Sequence, residues 1–313
     1  MEIFIFIFPC LGFLIFQFPK LKMKAKFLYA INILLTSFSF VISIYIFLKI
    51  LNLDKDLPVF FYPLLKFDDS FLDWSLKFDL FISSLMVLST FIVLILTIYS
   101  INFFKDDKIN FKIYSLSSLS IFSFVLFISS NNIVQFFLGW YLIILSSYLM
   151  SNTSNKTRII DNSNIFLHNR ISDLAFFLSL YFIYSNTNSI NFDMIFKSFK
   201  TVDYNYILFN NSINIFDVIA LTLFLSFLLR CRQFFIFNST YDFLKLNIPF
   251  YILMMFALYM PAGLYFIFRF LPLTEINFDF LNIILIFGYV LILIFSILLM
   301  LSYNLKKLIV YIV

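Results

Sequence analysis

The stretch that decides the fold is NNIVQFFLGWYLIILSSYLM, residues 131–150. It forms the second half of a longer run, residues 113–155, that contains no charged side chain. A single membrane helix needs about 20 apolar residues, and this run is about twice as long. A polar Ser-Ser-Asn-Asn tetrapeptide at residues 129–132 interrupts the run near its middle. The pattern therefore predicts two membrane helices joined by a tight polar turn.

The composition of the whole chain agrees with a membrane location. Of the 313 residues, 62% are hydrophobic and only 12% are charged, and the mean hydropathy is +0.99. A soluble globular domain carries about 25% charged residues. We therefore expect a polytopic membrane protein. The 49 phenylalanines, together with abundant Ile, Asn and Lys, are residues with AT-rich codons, which suggests an organellar genome.

The charged, cysteine and histidine residues argue against several other functions. The net charge of +5 lies mainly in loops, such as the lysine-rich segment 20–26, which is typical of positive-inside loops. Nucleic-acid binding is not expected, because no basic face on a soluble module can be identified. Cys10 and Cys231 are far apart in apolar surroundings, and His168 has no second ligand nearby in sequence. Neither a disulfide framework nor a metal site is therefore predicted.

Nine apolar runs are long enough, or nearly so, to cross a bilayer. They are residues 2–18, 27–48, 80–104, 113–130, 132–150, 166–185, 213–237, 248–268 and 281–303. The first is marginal, and residues 305–313 begin a further run that is too short to cross. We predict an all-α polytopic membrane protein with about nine transmembrane helices plus the start of another, in a single domain over residues 1–313. Residues 52–77 and 186–212 are predicted as polar loops, and the second has room for a short surface strand or helix.

Several short motifs occur in an order that indicates a family. Leu-Gly-Trp at 138–140, followed by Ser-Tyr-Leu at 147–149, resembles the fifth helix of NADH dehydrogenase subunit 5, an antiporter-like (Mrp-type) membrane subunit of respiratory complex I. Asn-Arg-Ile-Ser-Asp at 169–173 is similar to Asn-Arg-Ile-Gly-Asp in the sixth helix of that family. Two later segments are also similar to the family. Met-Pro-Ala-Gly at 260–263 resembles part of its eighth helix, and Asn-Leu-Lys-Lys-Leu-Ile-Val-Tyr at 304–311 resembles the start of its tenth. All four glycines fall on glycine positions of the family.

The resemblance implies a proton relay that this chain has lost in part. The family places a glutamate on the fifth helix, a lysine on the seventh and a histidine on the eighth. The corresponding residues here are Tyr141, Arg230 and Met255. A phenol keeps its proton at neutral pH, a guanidinium always carries its charge, and a thioether does not titrate. The half-channel is therefore expected to be degenerate.

The charged pair of the sixth helix is retained. Arg170 and Asp173 are three residues apart, on one helical face. With Arg230 they are the candidates for a proton path. The pair is interpreted either as a structural ion pair that fixes helix packing or as a remnant of the path. Arg230 is interpreted either as an anchor for its helix or as a relay group, and the anchor is favoured because arginine does not titrate.

The resemblance also implies an assembly. The chain is expected to be the N-terminal fragment of a split subunit 5, a multi-pass protein of the mitochondrial inner membrane. The implied partners are the C-terminal fragment, other membrane-arm subunits of complex I and lipids such as cardiolipin, with no nucleic acid. No cofactor is expected here, because the chain has no glycine-rich nucleotide loop and no cysteine cluster for iron–sulfur centres. The chain would serve NADH:ubiquinone reductase without doing its redox chemistry, either as a scaffold or through a rewired proton path.

Other interpretations of the sequence remain. A stand-alone cation/proton antiporter has the same expected fold, although the short run at 305–313 favours a chain that depends on a partner. Another antiporter-like subunit of complex I, subunit 4 or subunit 2, fits less well at the motif 169–173 and at the turn before the fifth helix. A membrane enzyme of lipid metabolism is less favoured again, because no His/Asp cluster occurs in the sequence.

Overall fold

The computed structural model describes residues 2–17, 25–53, 56–67, 70–103, 107–153, 159–199, 205–208, 211–231, 258, 260–274 and 278–303. The described residues are mainly helical, so the predicted helix bundle is confirmed. The helices are α1 Phe4–Gln17, α2 Ala25–Leu53, α3 Leu80–Phe103, α4 Asp107–Ile128, α5 Ile133–Thr153, α6 Ile159–Thr187, α7 Phe192–Phe199, α8 Ile215–Cys231, α9 Met260–Thr274 and α10 Phe278–Met300.

Both predicted polar loops contain regular structure. The second loop was expected to have room for a short strand or helix, whereas the sheet in the first loop was not predicted. Strands β1 Leu57–Phe67 and β2 Ser70–Phe78 form a two-stranded sheet in the first loop. The second loop holds α7 and the antiparallel hairpin of β3 Asn205–Leu208 and β4 Asn211–Asn214. The physical reason is that backbone N–H and C=O groups need partners wherever the chain packs against a helix bundle, and a hairpin supplies them locally.

Two of the described helices are by themselves long and apolar enough to cross a membrane. They are Tyr29–Leu53 within α2 and Leu80–Tyr99 within α3, with hydropathies of 2.1 and 2.5. Shorter apolar helical stretches in the described part are Phe4–Gln17, Lys112–Ile128, Ile133–Leu149, Ile215–Leu229, Met260–Leu273 and Ile284–Met300. The end of the predicted run 213–237 and most of the run 248–268 lie outside the described residues.

The chain divides into two compact units. Unit 1 comprises Met1–Leu65, Asp73–Asn162 and Leu246–Ala262, and unit 2 comprises Lys66–Leu72, Ser163–Lys245 and Gly263–Val313. The single domain over residues 1–313 stays a prediction.

Helix α4 forms the centre of unit 1. It contacts α1, α2, α3 and α5, and almost every described side chain from Ile113 to its end is buried. Serine makes this packing possible, because it is small and its hydroxyl bonds within the helix. Ser118 Oγ donates to the Tyr114 carbonyl at 3.0 Å, and Ser123 Oγ donates to the Ser120 carbonyl at 2.9 Å. These buried hydroxyls therefore need no partner on another helix.

Small residues set the distances between the helices of unit 1. A Cβ added to Gly12 of α1 would lie 2.7 Å from Ser118 Oγ of α4. The hydroxyls of Ser43 in α2 and Thr90 in α3 are 3.0 Å apart in a buried hydrogen bond. Both features are typical of membrane bundles, in which small residues let helices approach and hydroxyls link them.

Aromatic rings hold unit 2 together. Helix α8 contacts α10 through Phe224 and Phe287, whose ring centroids are 5.4 Å apart. It contacts α7 through Phe216 and Phe199, at 5.1 Å. Offset and edge-to-face ring pairs at such distances contribute about 0.5–1.5 kcal/mol each beyond the area that they bury. The high phenylalanine content is therefore used in the core of this unit as well as on its surface.

Candidate functional site

The polar turn between α4 and α5 has the position that the sequence predicted. Helix α4 ends at Ile128 and α5 begins at Ile133. Asn132 caps α5, because its Oδ1 accepts a hydrogen bond of 2.6 Å from the Gln135 backbone N–H. Its Nδ2 donates to the Asp73 carbonyl at 2.7 Å, so one side chain joins the turn to β2. The Lys77 N–H adds a bond of 2.9 Å to the Ser129 carbonyl.

The Leu-Gly-Trp motif is a contact between the two helices of this hairpin. A Cβ added to Gly139 of α5 would lie 2.5 Å from the Cα of Phe127 in α4. Trp140 is 2% exposed, and its ring lies 5.2 Å from that of Phe127. Phe136 lies 4.4 Å from the same ring. Glycine is therefore needed where the backbone of α4 comes closest, and the aromatic residues fill the space around it.

Tyr141 follows this motif at the position where the resemblance implied a relay glutamate. It lies on α5 in unit 1, and its side chain is half-buried. The ring of the preceding residue, Trp140, faces Phe127 instead of a titratable group. Helix α5 is therefore packed against α4 at the residue that precedes Tyr141.

Arg170 and Asp173 of α6 form the ion pair that their spacing predicted. Arg170 Nη2 lies 3.0 Å from Asp173 Oδ2, so their placement on one helical face is confirmed. Of the charged residues that the structure describes, Asp173 alone is buried, with 7% exposure. A buried charge at membrane depth is costly unless it is paired, and such a residue is by default a functional candidate.

A hydrogen bond beside this ion pair connects α6 to α8, the helix that carries Arg230. Ser172, between the two charged residues, donates from its Oγ to the Ser226 carbonyl at 2.8 Å. Arg230 follows Ser226 by four residues and therefore lies one turn further along the same face of α8. Helices α6 and α8 are thus brought together at the predicted site. The side chain of Arg230, and Met255 as a whole, lie outside the described residues.

An aromatic cluster lies next to the ion pair. Phe176 is fully buried three residues after Asp173, and its ring is 5.2 Å from that of Phe266 in α9. Phe270 lies 5.2 Å from Phe266 and 6.2 Å from Phe176. We call Phe176, Phe266, Phe270 and Phe192 the α6–α9 cluster. Its rings pack in the buried space one helical turn from Asp173.

The surface helix α7 closes this cluster. Its first residue, Phe192, is buried, and its ring is 5.8 Å from that of Phe270. The guanidinium carbon of Arg269 lies 4.3 Å from the centroid of the Phe192 ring, a cation–π contact. Sequence reasoning missed this cluster. The spacing of Phe266 and Phe270, one helical turn apart, was the signal that pointed to it.

No group of three or more metal-ligating side chains comes together within the described ranges. Cys10 is half-buried and has a free thiol. The side chains of Cys231 and His168 lie outside the described part. The candidate site therefore consists of the ion pair, the bond to α8 and the aromatic cluster.

Comparison with known proteins identifies the family. The sequence profile described as "NADH:quinone oxidoreductase/Mrp antiporter, TM" matches residues 130–312, more than half of the chain. The chain belongs to this family. It is therefore a multi-pass membrane protein of the antiporter-like type.

Individual relatives of this antiporter-like chain agree with the resemblance to subunit 5, which is confirmed. The NADH-ubiquinone oxidoreductase chain 5 of Chondrus crispus is 25% identical over 92% of this chain and 44% of its own length. That of Acanthamoeba castellanii is 28% identical over 92% of this chain and 43% of its own length. In the solved structure of the Mrp complex from Dietzia sp., one chain has a fold with a TM-score of 0.79, at 16% identity, over 98% of this chain and 32% of its own. This member of the family thus spans less than half the length of these relatives.

Proposed function

We propose that the chain is a membrane-arm subunit of a proton-translocating NADH:quinone oxidoreductase and corresponds to the N-terminal part of subunit 5. The support is the family match together with relatives that are named as chain 5 of that enzyme. The proposal includes the mitochondrial inner membrane as location and a C-terminal fragment of the same subunit as partner. Other membrane-arm subunits and lipids such as cardiolipin complete its surroundings, and electron transfer takes place in other subunits.

Within this assembly, we propose that the chain acts as a scaffold whose half-channel is closed. The observation that carries this proposal is the α6–α9 cluster, in which Phe176 packs against Phe266 and Phe270 one turn from Asp173. A proton relay needs ionisable groups joined by water, and packed rings leave no room for water. The substitutions at Tyr141 and Met255 act in the same direction, because they stand where the resemblance implies a relay glutamate and a relay histidine.

The ion pair then has a structural role. The Arg170 guanidinium neutralises the buried Asp173 carboxylate, and Ser172 joins α6 to α8 at the same level. Arg170 is partly exposed, so loss of the pair should cost more than the ~1 kcal/mol of a surface pair and less than the ~3–5 kcal/mol of a fully buried one. Arg230 is proposed as an anchor for α8.

The test is the variant Asp173→Asn in the assembled complex. We expect the number of protons pumped per NADH to stay at the wild-type value, whereas the amount of assembled complex falls because the Arg170 charge loses its carboxylate. Asp193→Asn is the matched control, since Asp193 is exposed on α7 and should affect neither quantity. A lower pumping ratio in fully assembled Asp173→Asn complex would contradict the scaffold and favour a proton path through Arg170 and Asp173.

A stand-alone cation/proton antiporter is the second candidate. The family description includes Mrp antiporters, and the fold is similar to that of a chain of an Mrp complex. Purification in a mild detergent separates the two functions. Migration with NADH dehydrogenase activity in native gels supports the subunit, and migration alone without that activity supports the antiporter.

A further inference from the structure

Helix α2 turns a line of buried side chains towards the inside of unit 1. Spacings of three and four residues place these side chains on one face of the helix. The four nearest to the start of the helix, which we call the α2 polar line, are polar and uncharged. Part of the interior of unit 1 is therefore polar, although α2 as a whole is apolar. Among the α2 side chains that the structure describes, the buried ones are Asn32, Thr36, Ser39, Ser43, Ile46 and Ile50.

The α2 polar line faces the space that α1, α3 and α4 enclose together with α2. The ring of Phe38 lies 5.3 Å from that of Phe8 in α1, and the ring of Phe40 lies 5.4 Å from that of Phe91 in α3. At about 100° per residue, Asn32 lies between these two contact faces of α2. Helix α4 contacts all three of the other helices. The buried side chains of the line therefore point into the middle of a four-helix arrangement.

The hydroxyl groups of the line donate their protons within α2. Thr36 Oγ1 donates to the Asn32 carbonyl at 2.9 Å, and Ser39 Oγ donates to the Thr36 carbonyl at 2.7 Å. Ser43 Oγ donates to the Phe40 carbonyl at 2.7 Å. These oxygens can therefore accept a further hydrogen bond but have no second proton to donate. Small hydroxyl residues of this kind are, on their own, an ordinary means of bringing membrane helices close together.

Asn32 does not fit that simple packing role. Its side chain is 0% exposed, and neither Oδ1 nor Nδ2 has a hydrogen-bond partner among the described residues. Asn32 lies beyond the first turn of α2, which begins at Ala25, so the free N–H groups of the helix start are out of its reach. A buried amide without a partner is costly, and such groups in proteins are nearly always bonded to protein or to ordered water. The Asn32 amide therefore indicates a bound molecule beside the line.

We infer that ordered water is bound inside unit 1, between the amide of Asn32 and the hydroxyl oxygen of Thr36. Water matches both groups, because it can accept from Asn32 Nδ2 and donate to Thr36 Oγ1. A buried water typically makes about three hydrogen bonds, so its second hydrogen serves another acceptor of this polar interior. No residue of the line carries a charge, which favours water over a metal cation. The site goes beyond the proposed function, because it requires neither a second fragment nor a particular enzyme complex.

A density map of the full chain, purified in mild detergent with the partners that it retains, tests the site directly. At a resolution that shows ordered water, we expect a peak about 2.7–3.2 Å from both the Asn32 amide and Thr36 Oγ1. A direct bond from the Asn32 amide to a protein group, or apolar packing without a peak, would overturn the inference. A peak surrounded by six or more oxygen atoms at about 2.3–2.6 Å would mark a cation and would overturn the assignment to water.

A matched pair of variants tests the same site by thermal unfolding in detergent. Thr36 of α2 and Thr222 of α8 each share one hydroxyl proton between the carbonyls three and four residues earlier. The distances are 2.9 and 3.1 Å for Thr36 and 2.8 and 3.0 Å for Thr222. Both valine variants lose that bond, but only Thr36→Val also loses the bond from the water. We expect the Tm of Thr36→Val to fall about 2–4 °C further than that of Thr222→Val. An equal fall in the two variants would overturn the inference.

Discussion

An ion pair near the start of the chain shows how the fold changes the pKa of one carboxyl group. Glu2 lies in the turn before α1, and its Oε1 accepts a hydrogen bond of 2.6 Å from Lys49 Nζ on α2. This hydrogen bond is the main reason why the pKa of Glu2 is lowered from its ordinary 4.5 to about 2. The pair joins the turn before α1 to α2, and because the two residues are far apart in sequence no local pattern indicated it.

The first prediction concerns the pH dependence of stability. Because the folded pKa of Glu2 is depressed, its contribution is fully present above about 4.5 and is lost as the pH falls towards about 2. Tm measured in detergent should therefore fall more steeply with acid in the wild type than in Glu2→Gln. Asp193→Asn is the control, since it leaves this pair intact. Parallel acid curves for wild type and Glu2→Gln would show that the pair contributes nothing.

Close packing of α5 against α4 needs glycine at position 139, whereas no described atom lies near Gly288 of α10. The second prediction is that Gly139→Ala destabilises the protein, because the new methyl group would overlap the Phe127 backbone. Overpacking costs about 1–3 kcal/mol, which offsets the ~1 kcal/mol that alanine gains in helix propensity. Gly288→Ala keeps only the gain and should be neutral or stabilising. Denaturant unfolding in detergent measures both, and a Gly139→Ala protein as stable as Gly288→Ala would contradict the contact.

The third prediction concerns the cap of α5. Asn132→Ala removes the bond to the Gln135 N–H and the bond to the Asp73 carbonyl. Loss of a cap costs about 0.5–2 kcal/mol, so Tm should fall and β2 should loosen from the turn. Limited trypsin digestion at Lys77 reports that loosening. Asn131→Ala is the matched control, with a single bond of 3.2 Å to Ser75 Oγ, and equal digestion of both variants would show that Asn132 does not hold β2.

The sequence predicts a structural feature well when the residues that determine it are close together in the chain. The α4–α5 turn follows from a polar tetrapeptide inside an apolar run, and the Arg170–Asp173 pair follows from a spacing of three. The bond from Ser172 to Ser226 depends on how α6 and α8 meet, and no local pattern encodes that meeting. The α6–α9 cluster was not predicted, because with 49 phenylalanines in the chain a spacing of four between two of them is a weak signal. The β1–β2 sheet was not predicted, because its strands lie between strongly apolar runs.

At the scale of the whole molecule, the family match and the packing around the ion pair lead to one consistent proposal. The chain spans less than half the length of the relatives that it matches. A scaffold needs contacts with its neighbours in the complex and does not need a titrating path. The assay on Asp173→Asn separates these two requirements, because it measures both the pumping ratio and the amount of assembled complex.

The serine bonds of α4 also bear on how the protein is made. In the folded chain α4 packs against α1, α2, α3 and α5, yet α5 follows it in the sequence and is therefore synthesised after it. The hydroxyls of Ser118 and Ser123 already donate to carbonyls of their own helix, as the backbone does. These hydroxyls are therefore already satisfied before α5 is in place. A helix rich in serine can in this way be stable in the membrane until α5 packs against it.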